Sequence, residues 1–266
     1  MITKKKVLLL STSSLKWYWL HKIFTFAKKA NYDGIDLVME KLNYDTLNTE
    51  YIKWLSDAFW VPVLSITAYD KWLSEKKVDE IIKMAMILKT QVVTFSPPHM
   101  TDSNKSWFNK YLPKIRRDNR ISVCVQNVES KFFLFVIPEH TSNNFIDIKR
   151  VTWDVTLNIS ALDRNWGTDL LKAQKMLWNS IRNVFFSDRY WPREWILPWS
   201  AWGWVSHLPL ESFLMKLRTA AYNWYITLKV RPSELEVWND EKVLQNLEYM
   251  KKYYMKHYLD FKSENI

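Results

Sequence analysis

Short, continuous apolar runs recur along this chain and alternate with stretches in which apolar residues return every three or four positions. The runs are 7–13, 34–39, 61–68, 91–97, 121–128, 151–156, 181–187 and 225–230. Each is bounded by turn-forming or charged residues and lacks polar alternation, which predicts strands buried on both faces. The amphipathic stretches between them are 16–30, 46–59, 75–88, 106–116, 143–149, 169–178 and 210–221, with a last helix over 233–257. Pro232, Ser233 and Glu236 read as the start of that last helix, with a capping box.

Strands that alternate with helices imply a parallel sheet. Eight such units in 266 residues predict a single (β/α)8 barrel domain, an α/β TIM barrel, over the whole length. An open doubly wound sheet is the competing architecture. It normally carries a Gly-rich first turn. The first turn here is STSSLKWYW, which lacks the dinucleotide-binding spacing even if both Trp are read as Gly.

Composition changes this picture at one point. The chain holds 16 Trp and 3 Gly, although Gly alone averages about 7% of residues. Trp60 (SDAFWVPVLSI), Trp178 and Trp224 fall between a helix and a strand. Trp191, Trp195, Trp199, Trp202 and Trp204 crowd one segment beside Pro192, Pro198 and Gly203. Gly is the usual residue just past a helix end, whereas an indole needs a core or an interface. The pattern fits a stop codon that the gene's host reads as Gly and that is rendered here as Trp. A chain that is truly Trp-rich is the other reading.

The remaining composition narrows the function. The single Cys124 sits in the apolar run ISVCV, which suits a buried structural thiol and a reducing, cytoplasmic setting. MITKKKVLLLSTSS is read as a first strand rather than a signal peptide, because its apolar run is too short. No apolar stretch reaches membrane-spanning length, so no membrane is expected. The formal charge of +10 is spread along the chain without a basic block, so nucleic acid is not expected as a partner.

Five segments follow one another over nearly the whole length: FAKKANYDGIDLV, SVCVQNVE, VTWDVT, NVFFSD and LPLESFLMKLRTAAYNWYITLKVRP. Together they resemble the xylose-isomerase-like TIM-barrel superfamily, which contains sugar isomerases, sugar-phosphate epimerases and apurinic-site endonucleases. The resemblance implies Glu, Asp and His at strand C-terminal ends, a divalent Mn, Zn or Mg that polarises a substrate oxygen, and carboxylates that move protons beside a carbonyl. The chain departs from that pattern at four positions. The family's fifth strand ends in Glu-Asn, where this chain has Gln126-Asn127. The sixth reads Asp-x-x-His, where Asp154 is followed by Leu157. The seventh reads His-x-x-Asp, where Phe185 precedes Asp188. The eighth ends in Glu, where Lys229 reverses the charge.

The expected site follows from these residues. Asp154, Asp188 and Lys229 are expected to meet at the barrel mouth, beside a buried strand-end Asp36, with His99 of TFSPPHM as a ligand or general acid. Asp154 and Asp188 are the metal candidates, with no metal at all as the alternative. Gln126, Asn127, Arg189, Arg193, Gly203 and His207 are the substrate-binding candidates, the last four in or beside a loop suited to an anionic or sugar substrate. Glu129 is a displaced substitute for the missing Glu. The function expected is that of a sugar or sugar-phosphate isomerase or epimerase with a degraded metal site, acting on a small polar ligand. The alternative is a non-catalytic barrel that binds such a ligand or a partner protein. An apurinic-site endonuclease is the lesser alternative, since its multi-zinc centre needs more His than the 5 present.

Overall fold

The computed structural model describes residues 7–41, 43–103, 105–118, 121–129, 131–133, 137–142, 145–162, 170–190, 193–198 and 208–259. Eight parallel strands close into a barrel: β1 (Val7–Ser11), β2 (Gly34–Val38), β3 (Val63–Thr67), β4 (Val92–Phe95), β5 (Ser122–Gln126), β6 (Asp154–Asn158), β7 (Ile181–Phe186) and β8 (Tyr225–Leu228). Each strand pairs with its sequence neighbour, and β1 closes on β8 through Leu10 opposite Leu228. The helices are α1 (Leu20–Lys29), α2 (Thr49–Phe59), α3 (Glu75–Ile87), α4 (Leu112–Asp118), α5 (Phe145–Thr152), α6 (Leu170–Leu177), α7 (Leu210–Thr219) and α8 (Asp240–Tyr254). The (β/α)8 barrel expected from the pattern is therefore the fold. Among the described residues, no helix is long and apolar enough to cross a membrane.

The apolar runs became strands because both of their faces are covered. The outward side chains, such as Ile35, Leu37, Val93, Val123, Val155 and Ile226, pack under the helices in one continuous core. Inside the barrel, Leu9, Val92, Cys124 and Tyr225 form a separate apolar plug near the strand starts. Burial pushes the Cys124 thiol well above its ordinary range, as befits a structural residue. Above the plug the interior turns polar. Thr227 Oγ1 donates to Asn183 Oδ1 at 2.8 Å, Asn183 Nδ2 donates to Ser65 Oγ at 3.2 Å, and the Thr94 and Thr156 hydroxyls lie 2.6 Å apart. Asp36, fully buried on β2, accepts from Ser11 Oγ and Thr67 Oγ1, each at 2.9 Å.

Gly34 begins β2 where only Gly fits. A Cβ there would lie 2.7 Å from the Pro62 carbonyl oxygen and 3.0 Å from the Leu64 side chain. Neither backbone can retreat without breaking the β2–β3 pairing, so Gly34→Ala is expected to cost about 1–3 kcal/mol, read as a lowered denaturant midpoint at unchanged slope.

Several helix ends differ from expectation by a few residues, and two of the differences bear on the site and the Trp positions. The last helix begins at Asp240, not Ser233. Asn239 caps it, accepting from the Glu241 and Lys242 N–H groups at 3.0 and 3.2 Å, while Pro232–Leu235 forms only a 3-10 turn that ends at Glu236, φ 53°. α5 continues to Thr152, three residues beyond the expected 149, and β6 correspondingly runs from Asp154 to Asn158. The reason is Trp153, which lies between them in left-handed backbone at φ 62° and so ends the helix as a Gly would.

Among the described residues, Trp153 is one of four Trp with left-handed backbone; Trp60, Trp72 and Trp195 have φ of 57°, 59° and 59°. Such φ is uncommon for any residue with a Cβ and is an outlier for a bulky one. Trp60 is 87% exposed, and Trp17, Trp19, Trp54, Trp72, Trp153 and Trp238 also lie on the surface; Trp107 is in the core. Two of the positions expected to be Gly-like behave otherwise. At the α7–β8 junction it is Ala221 that takes positive φ, while Trp224 packs at the core edge with the Arg182 guanidinium 4.7 Å above its ring. Trp178 opens a 3-10 turn and packs against the core. Trp191, Trp199, Trp202 and Trp204 lie outside the described residues.

Candidate functional site at the barrel mouth

The C-terminal ends of the strands open into a cavity of about 430 Å³ whose lining includes Asp70, Gln126, Glu139, His140, Asn158 and Lys229. Parallel strands bring their following loops to one end, which is where TIM barrels carry their chemistry. Lys229, the first residue after β8, stands on one wall. Its ammonium lies 3.9 Å from the Phe185 ring centre and 5.2 Å from that of Trp195. Burial lowers its amine below the usual lysine range, against the pull of Asp36 and Asp70. A cation–π seat of this kind holds an ammonium without a hydrogen-bonding partner, leaving its N–H groups for a ligand.

Two residues that line the same space carry amide groups. Gln126 ends β5 and donates through Nε2 to Ser96 Oγ at 2.7 Å; Asn158 ends β6. Gln126 Oε1 and Asn158 Oδ1 are buried just behind the cavity surface and accept no hydrogen bond among the described residues. A buried unsatisfied acceptor costs about 1–3 kcal/mol, a cost that a hydroxyl-bearing ligand would remove.

The opposite wall is built by the loops after β3, β4 and β5. His99 is buried; its Nε2 lies 2.7 Å from Asp70 Oδ2 and its Nδ1 3.6 Å from Glu139 Oε1. The His140 ring centre is 4.2 Å from that of His99. Burial lowers the His140 imidazole below its ordinary range. For Asp70, burial alone would raise the carboxyl, but hydrogen bonds from His99 and Ser96 and the two nearby rings hold it below its ordinary value.

The expected residues divide by where the backbone puts them. Lys229, Gln126 and Glu129 line the mouth cavity, and His99 stands in its wall beside Asp70 and Glu139. Asp154 does not join them. It is the first residue of β6, at the opposite end of the barrel, and it pairs with Arg182 at 2.9 Å and Arg116 at 3.9 Å. Burial raises its carboxyl against the pull of both guanidinium groups. The structure therefore does not bring it to the mouth with Asp188 and Lys229 as expected, and the three-residue extension of α5 is the physical cause of that placement. Asp188, after β7, accepts from the backbone N–H groups of Arg189 at 2.7 Å and Leu208 at 3.1 Å, so it shapes its loop.

Asn127 exchanges two bonds with the Asn158 backbone, at 2.8 and 2.7 Å. It ties β5 to β6 and is not among the cavity-lining residues. Arg189 is buried, donating to the Ser160 and Leu162 carbonyls at 3.1 and 2.9 Å and to Glu129 Oε1 at 2.9 Å. Its guanidinium is thus committed to protein groups rather than offered to a substrate. Arg193 lies in a two-stranded hairpin, Asp188–Tyr190 with Arg193–Ile196. Gly203 and His207 lie outside the described residues. Sequence reasoning missed Asp70, Glu139, His140 and Asn158 as mouth residues.

No protein-family model matches the chain, and no curated protein matches it. Solved structures do. A xylose isomerase domain containing protein from Salmonella typhimurium superposes with a TM-score of 0.69 at 12% identity, covering 96% of this chain and 99% of that one. A D-tagatose 3-epimerase-like protein gives 0.66 at 16% identity, over 94% and 97%. An IolI protein with a bound zinc atom gives 0.67 at 15% identity, over 96% and 100%. The chain therefore has the fold of the xylose isomerase-like TIM barrels, shared with proteins described as xylose isomerase domain and D-tagatose 3-epimerase-like proteins.

Proposed function

We propose that the mouth cavity binds a small, hydroxyl-rich carbonyl compound of the sugar or sugar-phosphate class, and that the protein acts on it as an isomerase or epimerase. The observation that carries this reading is the pairing of one ammonium, Lys229, with two unsatisfied buried acceptors, Gln126 Oε1 and Asn158 Oδ1, on residues lining one cavity. A polyol supplies hydroxyl donors to the amide oxygens, and its carbonyl oxygen faces Lys229. Removing the proton on the carbon next to that carbonyl develops negative charge on the oxygen. An ammonium already desolvated and in place stabilises that charge. Asp70 and Glu139 are the carboxylates on the far wall that would take the proton and return it. A reducing cytoplasm as its setting rests on the lone, buried Cys124.

The family's divalent metal does not fit its usual place here. The positions that the resemblance assigns to ligands on strands five, seven and eight hold a neutral amide, a phenyl ring and an ammonium, and the β6 end holds the Asn158 amide. A cation held there would face Lys229 at close range. The substitution of two expected carboxylates by Gln126 and Lys229 also favours a second reading, a barrel that binds such a ligand without turning it over.

Proton NMR in D2O separates the readings, with D-tagatose, D-fructose and their 6-phosphates as probes. The isomerase reading expects solvent deuterium to enter the carbon beside the carbonyl of at least one probe, with the rate falling about 100-fold or more in Lys229→Met. Saturation transfer to a probe without any deuterium incorporation would leave the binding-only reading. Lys229→Met is expected to melt at or slightly above the parent temperature, since it removes a desolvated charge.

A further inference from the structure

We propose that Asp70, His99 and His140 form a binding site for a divalent transition metal of the zinc type, displaced from the strand-five-to-eight positions onto the loops that follow β3, β4 and β5. This inference does not depend on the sugar reading, with which it shares Asp70; with a metal on Asp70, Glu139 alone would move the proton. One ligand atom from each of the three residues lies within 4.8 Å of the others. Two imidazoles and one carboxylate favour zinc, cobalt or iron over magnesium or calcium, and three protein ligands leave a coordination position open.

The two histidines are held for this arrangement. His99 and His140 face each other in an antiparallel backbone bridge, flanked by Met100 N–H to the Glu139 carbonyl and Thr141 N–H to the Pro98 carbonyl, both at 2.8 Å. The Asp102 carboxylate accepts the His99 backbone N–H at 3.0 Å. His140 Nδ1 donates to the Pro97 carbonyl at 2.9 Å. That bond fixes the tautomer and leaves the Nε2 lone pair as the ligand, the outer-shell arrangement typical of metal-binding histidines. Glu139 stands at 3.6 Å from His99 Nδ1 and can orient that ring in the same way.

At present a proton joins His99 Nε2 to Asp70 Oδ2 across 2.7 Å. On metal binding the cation takes the proton's place on Nε2, and the neutral ring carries its one proton on Nδ1, facing Glu139. Tetrahedral bonds of about 2.0–2.2 Å require the two atoms to separate by about 0.6–0.9 Å. Asp70, with its side chain half exposed, has room to move. Asp70 and His140 face the mouth cavity and His99 faces a neighbouring cleft of about 630 Å³, so a cation has a path in.

The test is titration of the full-length, chelator-treated protein with Zn²⁺ by calorimetry and with Co²⁺ by visible absorption. One equivalent of each is expected to bind, with Co²⁺ giving the ligand-field bands of a low-coordinate nitrogen–oxygen site. His140→Gln and Asp70→Asn are each expected to weaken Zn²⁺ binding by about 10–100-fold, the loss typical of site residues and their support. Asp70 is half exposed, so its variant is expected to fold and to melt like the parent. Absence of stoichiometric binding, or binding that survives both substitutions, overturns the proposal. Either result leaves the deuterium-exchange experiment to be decided on its own.

Discussion

Replacing Trp60, Trp72, Trp153 and Trp195 together by Gly is expected to raise stability by about 1–2 kcal/mol. All four hold left-handed backbone, at φ between 57° and 62°, which costs a residue with a Cβ about 1–2 kcal/mol. Gly removes that strain but has more freedom to lose on folding, a penalty of roughly 0.5–1 kcal/mol. Trp72 also gives up a Lys41 ammonium 3.9 Å over its ring, Trp153 gives up Lys149 at 4.7 Å, and Trp195 gives up its side of the Lys229 seat, at 5.2 Å. These contacts are worth at most about 1 kcal/mol each. The sites lie on separate loops and their effects should add. For a chain of this size the gain corresponds to roughly 2–8 °C in melting temperature. Single Trp→Gly changes at Trp54, in the middle of α2, should instead destabilise by about 0.5–1 kcal/mol, which makes that position the control. A set of four that melts lower than the parent would contradict the Gly-like reading of these positions. Ordinary Trp codons at all four would remove codon reassignment as its cause.

The largest single loss is expected at Arg189. Arg189→Ala should cost about 3–5 kcal/mol, the range for breaking a buried ion pair from one side. The guanidinium bonds the Ser160 and Leu162 carbonyls after β6 and the Glu129 carboxylate after β5, while its own backbone follows β7. Its removal strips two carbonyls of a donor and leaves Glu129 with Lys131, at 3.1 Å, on the cavity side. Three mouth loops are thereby released at once. Arg189→Lys keeps the charge but cannot make the forked set of bonds, so it should recover only part of the loss. Denaturant melts with far-ultraviolet circular dichroism measure both, and a cost under about 1 kcal/mol would show that the mouth loops do not depend on this anchor.

The barrel was legible because its strands are covered on both faces, which leaves unbroken apolar runs such as VLLLS and VCV with amphipathic stretches between them. The site was legible only where it lies at a strand end that the pattern places correctly. Gln126 and Lys229 were found this way. Asp154 was misplaced, and Asn158 missed, through a single residue. Trp153 marks the end of α5 by its left-handed backbone, and a Trp carries no such signal in a sequence. Read as Gly, consistently with Trp60, it would have moved the start of β6 and put Asn158 at the mouth. Asp70, Glu139 and His140 could not be found locally. They sit on loops: the backbone bridge between 99 and 140 brings Glu139 and His140 to His99, and Asp70 reaches His99 through its side chain from the loop after β3, long-range pairings with no periodic pattern around them. Arg189 and Asn127 were expected to bind substrate, and their side chains bond to backbone groups; a sequence does not distinguish a side chain that binds a ligand from one that satisfies the protein's own backbone.

The central claim is that the mouth cavity is a polyol site closed by Lys229, Gln126 and Asn158. A crystal structure of the protein soaked with D-tagatose tests it most directly. The account expects the sugar in the cavity, with hydroxyls within hydrogen-bond distance of Gln126 Oε1 and Asn158 Oδ1 and an oxygen on Lys229 Nζ. A sugar bound elsewhere, or a mouth in which those three groups bond to one another and exclude it, would contradict the account.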